Sequence, residues 1–221
     1  MQQITIASLS FSLVATAAAH ASVVTFQDTT MAPASFTIGT IGSTPQQVSA
    51  ATDATGGGAL RVKTMSNAAV YTTLARSDWT ITATEAATAT ISATVDFKPE
   101  YTFLQGMGYS LLAMQGGSAY VVSWATTSQG GTDVGNGWKR RALGGVGFED
   151  FAQIGNANAR LNLTATGGTI TLGFLTGNSV GSGITVLYDN LGITLNGVVP
   201  GPGGLAAWGA AALLTRRRAR R

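Results

Sequence analysis

The chain contains no cysteine, which excludes disulfides, thiolate metal sites and cysteine nucleophiles. Its one histidine is His20. A serine triad and a zinc centre therefore lack their usual imidazoles once the first residues are set aside. Charged side chains make up 10% of the 221 residues, against about a quarter in an ordinary globular chain. That scarcity argues against long exposed helices and coiled coils. Wholesale disorder is also disfavoured, because 45% of the residues are apolar and too few are charged to keep the chain expanded. None of the three lysines, Lys63, Lys98 and Lys139, follows a glycine or lies three residues after a serine. Phosphate-loop and Ser-x-x-Lys chemistry are thereby removed.

The net charge of +3 is a property of one end. Five of the thirteen basic residues, Arg216, Arg217, Arg218, Arg220 and Arg221, fall in the last six positions, leaving eight against ten acidic residues. A chain whose body carries no excess of cations has no electrostatic footprint for nucleic acid.

The two ends read as targeting segments. Residues 1–21 run through an apolar stretch to Ala19, His20 and Ala21, and resemble a secretory signal peptide cut before Ser22. Signal peptidase is the partner this implies. Residues 198–221 combine a Pro/Gly breaker, an apolar run from Leu205 to Leu214 and an arginine block. Ten residues of helix reach only about 15 Å, half the hydrocarbon thickness. Transient rather than permanent inner-membrane association is expected. The order of parts resembles the PEP-CTERM sorting signal of Gram-negative bacteria, here with Val199, Pro200, Gly201, Pro202 and Gly203 where the typical form carries a Glu between the prolines, followed by Arg216, Arg217 and Arg218. The resemblance implies processing by an exosortase and delivery to the cell envelope, cell surface or extracellular matrix.

Between these ends, residues 22–197 read as one all-β domain. Ala87, Ala89, Ile91, Ala93, Val95 and Phe97 alternate with polar residues, the period of a strand with one wet face. The same rhythm marks 160–165, 169–175 and 190–195, and shorter runs bring the total to about eleven strands separated by glycine-rich joints. The pattern predicts an antiparallel β-sandwich, most simply a jelly roll. Gly130 to Asn158 shows little alternation and reads as a long irregular functional loop.

Enzymatic chemistry finds little support. A glycosidase needs only two carboxylates, yet the acidic residues form no paired cluster on one strand, and Glu149 and Asp150 are adjacent, hence on opposite faces of any strand. No catalytic residue is expected.

Two short segments bear on binding. In the phase of Leu187, Leu191, Ile193 and Leu195, Asp189 falls on the apolar face. It then needs backbone donors, a cation, or a bulge that turns it outward. The ending around Asp189 and Asn190 resembles the final strand of carbohydrate-binding modules with a galactose-binding-like jelly roll, and Thr25, Phe26, Gln27 and Asp28 are similar to their first strand. That resemblance implies a structural calcium, with Asp28 and Asp189 as its candidate ligands. It also implies a polysaccharide partner. Sugar sites commonly use exposed rings, so Trp138, in the irregular segment beside Lys139, Arg140 and Arg141, is the expected platform. The sequence thus points to an exported, non-enzymatic envelope protein that associates with exopolysaccharide. An adhesive surface protein with protein partners is the alternative, and a polysaccharide hydrolase a weaker one.

Overall fold

A computed structural model describes residues 21–42, 46–53, 55–63, 70–100, 107–127, 130–178 and 184–199. Residues 1–20, including His20, and Pro200, Gly201, Pro202, Gly203, Arg216, Arg217 and Arg218, on which the targeting expectations rest, lie outside the described residues. Among the described residues, no helix is long and apolar enough to cross a membrane.

Fourteen strands are described: β1 Ser22–Asp28, β2 Thr37–Ile41, β3 Gln47–Thr52, β4 Gly58–Lys63, β5 Val70–Thr82, β6 Thr90–Pro99 and β7 Gly108–Gln115. Then follow β8 Ser118–Thr126, β9 Thr132–Gly135, β10 Trp138–Gly147, β11 Ala152–Gln153, β12 Asn156–Arg160, β13 Thr169–Asn178 and β14 Thr185–Val198. They form two seven-stranded sheets. The first runs β3-β4-β14-β6-β10-β9, with β1 also laid along β14; the second runs β12-β11-β8-β7-β13-β5-β2. Every pairing is antiparallel. The inner eight strands, β1-β14-β6-β10 against β5-β13-β7-β8, have the connectivity of a jelly roll. The all-β sandwich expected from the sequence is the architecture found.

The alternation explains the layers. On β6, Ile91, Ala93, Val95 and Phe97 are buried while Thr90 and Thr94 are exposed and Ser92 is half-buried. Their partners across the core include Leu74, Tyr109, Leu111, Ile170, Leu172 and Phe174. Tyr188 packs edge-on to Phe174 at 4.9 Å, and its hydroxyl shares a 2.8 Å hydrogen bond with Thr176. Each such side chain removed from water contributes about 1.5–3 kcal/mol, and the paired hydroxyls avoid the cost of orphaned buried polar atoms.

Four local features depart from the sequence reading. The rhythm at 160–165 does not make a strand: β12 ends at Arg160, and Ala165–Gly167 form a 3-10 turn. The strand expected from Ala87 begins only at Thr90, because Ala83–Ala86 form a single helical turn, α1. Thr82 and Glu85 cap it reciprocally: Glu85 N–H donates to Thr82 Oγ1 at 3.3 Å, and Thr82 N–H to Glu85 Oε2 at 3.0 Å. Two of the shorter runs in the sequence, Val70–Leu74 and Trp79–Ala83, belong to one strand, β5, interrupted by a bulge: Gly173 of β13 faces Ala75, while Thr171 faces Thr80. Finally, residues 130–158 are not an irregular loop. They hold β9, β10, β11 and most of β12. The alternation there is hidden because Lys139 and Arg141 occupy positions whose register partners, Phe97 and Val95, face the core.

Candidate functional site

The outward face of the first sheet can be read row by row from strand register. In one row Ala142 of β10 faces Thr94 of β6, Thr94 faces Gly192 of β14, and Gly192 faces Gln27 of β1. In the next row toward the chain ends, Ser92 faces Thr194, which faces Thr25. These side chains alternate with Ala93, Ile193 and the inward-packed Phe26, so they point away from the core. They line a shallow depression of about 300 Å³. Gly192 is part of its floor: a Cβ there would sit 3.1 Å from Thr94 Oγ1.

The row on the other side of Ala142 is ionic. Arg140 faces Asp96, and Asp96 faces Asp189. The Arg140 guanidinium donates two parallel hydrogen bonds to Asp96, Nε to Oδ1 at 2.6 Å and Nη2 to Oδ2 at 2.7 Å. Asn190 Nδ2 adds a third donor to Asp96 Oδ2 at 3.0 Å. The fork is thereby held flat, while nearly half of the arginine side chain stays exposed, 48% against 5% for Asp96.

Asp189 completes this row. A register break between Asp189 and Gly192, with Asn190 at φ 50°, flips the phase of β14. Leu191, Ile193 and Leu195 enter the main core, whereas Leu187 and Asp189 lie on the outer side. The bulge is the option taken among those open to a carboxylate in an apolar phase. The carboxylate accepts from the Asn190 amide at 2.7 Å and from Asn190 Nδ2 at 3.2 Å. Burial pushes its pKa up to about 6, and the neighbouring Asp53 and Asp96 charges push the same way, while the Asn190 amide opposes them. Asp53 moves in the opposite direction: hydrogen bonds from Thr55, Gly57 and Asp189 hold its carboxyl below the usual range against the effect of desolvation. Of the two carboxyls Asp189 is therefore the one that takes up a proton first as the pH falls, with Asp53 as its acceptor.

The residues expected at a sugar site divide between the two faces. Trp138 is on β10 and only 5% exposed. It packs with Ala59 and Leu187 on the outer side of the sheet. This corrects the expectation of a loop-borne stacking platform, since a ring covered by neighbours offers no open face. Arg140 shares its face; Lys139 and Arg141 alternate to the other. Arg141 lies near enough to Tyr109 to partly offset the burial that pushes that phenol up to about 12. The residues that line the depression, Thr25, Gln27, Ser92, Thr94 and Thr194, were passed over in the sequence because small polar residues on a strand carry no signal of a site until register aligns them.

The candidate calcium ligands do not meet. Asp28 faces Leu191 in register and lies on the core side, whereas Asp189 faces Asp96 on the outer side. Asp28 Oδ1 accepts from Thr30 N at 3.0 Å, Thr30 Oγ1 at 3.1 Å and Met31 N at 2.8 Å. Its Oδ2 is paired with Arg76. Arg76, on the β5 bulge, also binds Asp78 and lies over the Trp79 and Phe36 rings at 5.0 and 5.5 Å. The charge of Asp28 is already balanced by an internal cation, and the pair does not fit one shared ion. Among the described residues no group of three or more potential ligands assembles around a metal position.

No protein-family model matches the chain, and no curated protein matches it either. Solved structures of similar shape include a family 11 carbohydrate-binding module from Clostridium thermocellum in complex with a β-1,3-1,4-mixed-linked tetrasaccharide, at 12% identity. It covers 79% of this chain and 98% of its own, with a TM-score of 0.47. The CBM22-1 xylan-binding domain of Paenibacillus barcinonensis Xyn10C is similar at 12% identity, over 84% of this chain and 100% of its own, with a TM-score of 0.46. TmCBM27, a carbohydrate-binding module described with specific mannan recognition, is similar at 13% identity, over 78% and 98%, also with a TM-score of 0.46. At such distances a function for this chain has to come from its own residues.

Proposed function

We propose that this protein is a non-enzymatic, exported polysaccharide-binding β-sandwich of the bacterial envelope or matrix, and that the outer face of its first sheet holds the polymer. The observation that carries the reading is the depression lined by Thr25, Gln27, Ser92, Thr94 and Thr194 beside the fixed Arg140 fork. Hydroxyls and an amide spaced along a sheet face present both donors and acceptors, as a chain of sugar hydroxyls requires. The depression lies on an open face, so a long polymer need not end there. Export, with signal peptidase, an exosortase and a passing inner-membrane stage, rests on the apolar leader and the residues from Val199 onward. A bound structural calcium has no support in the placement of Asp28 and Asp189. The test is a polysaccharide pull-down with the protein and its Ala142→Trp variant, which fills the depression from an exposed position. Binding lost in the variant at an unchanged melting temperature is the expected result. No binding, or binding that survives the substitution, removes the site.

A further inference from the structure

We infer that the polymer held on this face is an uncharged polysaccharide, read through its hydroxyls by threonine, serine and glutamine side chains and by the locked guanidinium of Arg140. This rests on the polysaccharide reading above and narrows it to one chemical class.

Charge placement makes the selection. None of the residues lining the depression is ionisable. The adjoining row sets Asp96, Asp189 and the nearby Asp53 against the single cation Arg140, and Arg140 is already engaged twice by Asp96. One row further on, Leu187 lies between Lys98 and Arg61, and Arg61 is paired with Glu100 at 3.1 Å. A polyanion on this face meets carboxylates whose charge is only partly offset, with no free basic cluster among the described residues to repay its desolvation. A neutral polymer meets no such opposition. The remaining outward N–H groups of Arg140 are donors in a fixed plane, suited to a hydroxyl or ring oxygen.

Rings do not supply the binding. The one aromatic residue lining the depression, Phe26, is stacked on Trp79 at 5.6 Å and packed against the core. Recognition therefore falls to hydrogen bonds with an uncharged ligand, which salt screens little.

Affinity electrophoresis of the full chain separates the outcomes. Soluble neutral polymers (a β-glucan, a mannan, a xylan) and polyanions (alginate, polygalacturonate) are compared at low and high salt. The double variant Thr94→Val, Thr194→Val, which removes two exposed or half-buried hydroxyls at nearly constant volume, identifies what depends on the depression. Binding to the terminal arginines is not altered by it and does not count. The expected result is retardation by at least one neutral polymer, unchanged by salt and weakened about tenfold in the double variant. Arg140→Lys, which keeps the charge and loses the fork, gives a comparable weakening. Retardation by a polyanion that the double variant abolishes overturns the uncharged class while leaving the polysaccharide reading in place. If no polymer of either kind shows retardation dependent on the depression, both fall.

Discussion

At Asp189 a carboxyl that is 2% exposed sits among the charges of two others, and its pKa rises to about 6. The folded state thus holds a proton that the unfolded chain releases near the ordinary value of 3.8. Stability from this proton is complete below about pH 4 and is lost as the pH rises through about 6. The loss amounts to about 1–2 kcal/mol once solvent screening is allowed for. Asp189→Asn should flatten this slope: its melting temperature exceeds that of the parent at pH 7.5 and equals it near pH 4. A parent protein whose melting temperature is constant across that window contradicts the assignment. Arg76 gives the opposite kind of test. It is the ion-pair partner of Asp28, whose side chain is 4% exposed. Arg76→Gln leaves a buried carboxylate uncompensated and is expected to cost about 3 kcal/mol in denaturant unfolding. A double change with Asp28→Asn recovers much of that.

Among the elements, β5 and β10 carry the least obvious features. The β5 bulge needs a close backbone approach at Gly173, where a Cβ would lie 2.2 Å from the Leu74 carbonyl oxygen. Gly173→Ala should therefore destabilise the sandwich by more than about 2 kcal/mol, read as a lowered denaturant midpoint, even though Gly173 has no side chain to lose. Trp138→Ala is expected to cost about 3 kcal/mol through loss of packing with Ala59 and Leu187, while polysaccharide affinity per folded molecule changes little. The periodic strands were legible because Ile91, Leu172 and Ile193 repeat at period two toward the main core: β6, β13 and β14 lie close to where these residues place them, although Leu175 on β13 and Leu187 on β14 are buried on the opposite face. By contrast β3 was invisible, since in Gln47–Thr52 only Val48 packs on the core. β10 is hard to read because its inward positions include Lys139 and Arg141, whose charges break the apolar alternation. The site was illegible for a related reason. Its residues come from β1, β6, β10 and β14, and only register sets Thr25, Ser92 and Thr194 in line.

For the whole molecule, the expectation is a secreted product shorter than its gene predicts. Intact mass of the natural protein should begin at Ser22 and lack the terminal arginines. A product that retains both ends contradicts the processing reading. The chain ends of the sandwich also fix how it could be held. Ser22 and Val198 are register partners on β1 and β14, so the body begins and finishes at one corner. The depression opens along the same two strands, starting three residues from that corner at Thr25, about 10 Å of extended chain. A tether at Val198 and a polymer across Thr194 would then pull on one and the same strand. Tension between cell and matrix would run along β14, which hydrogen-bonds to β6 on one side and to β1 and β4 on the other, so that many bonds must shear together before the grip is lost.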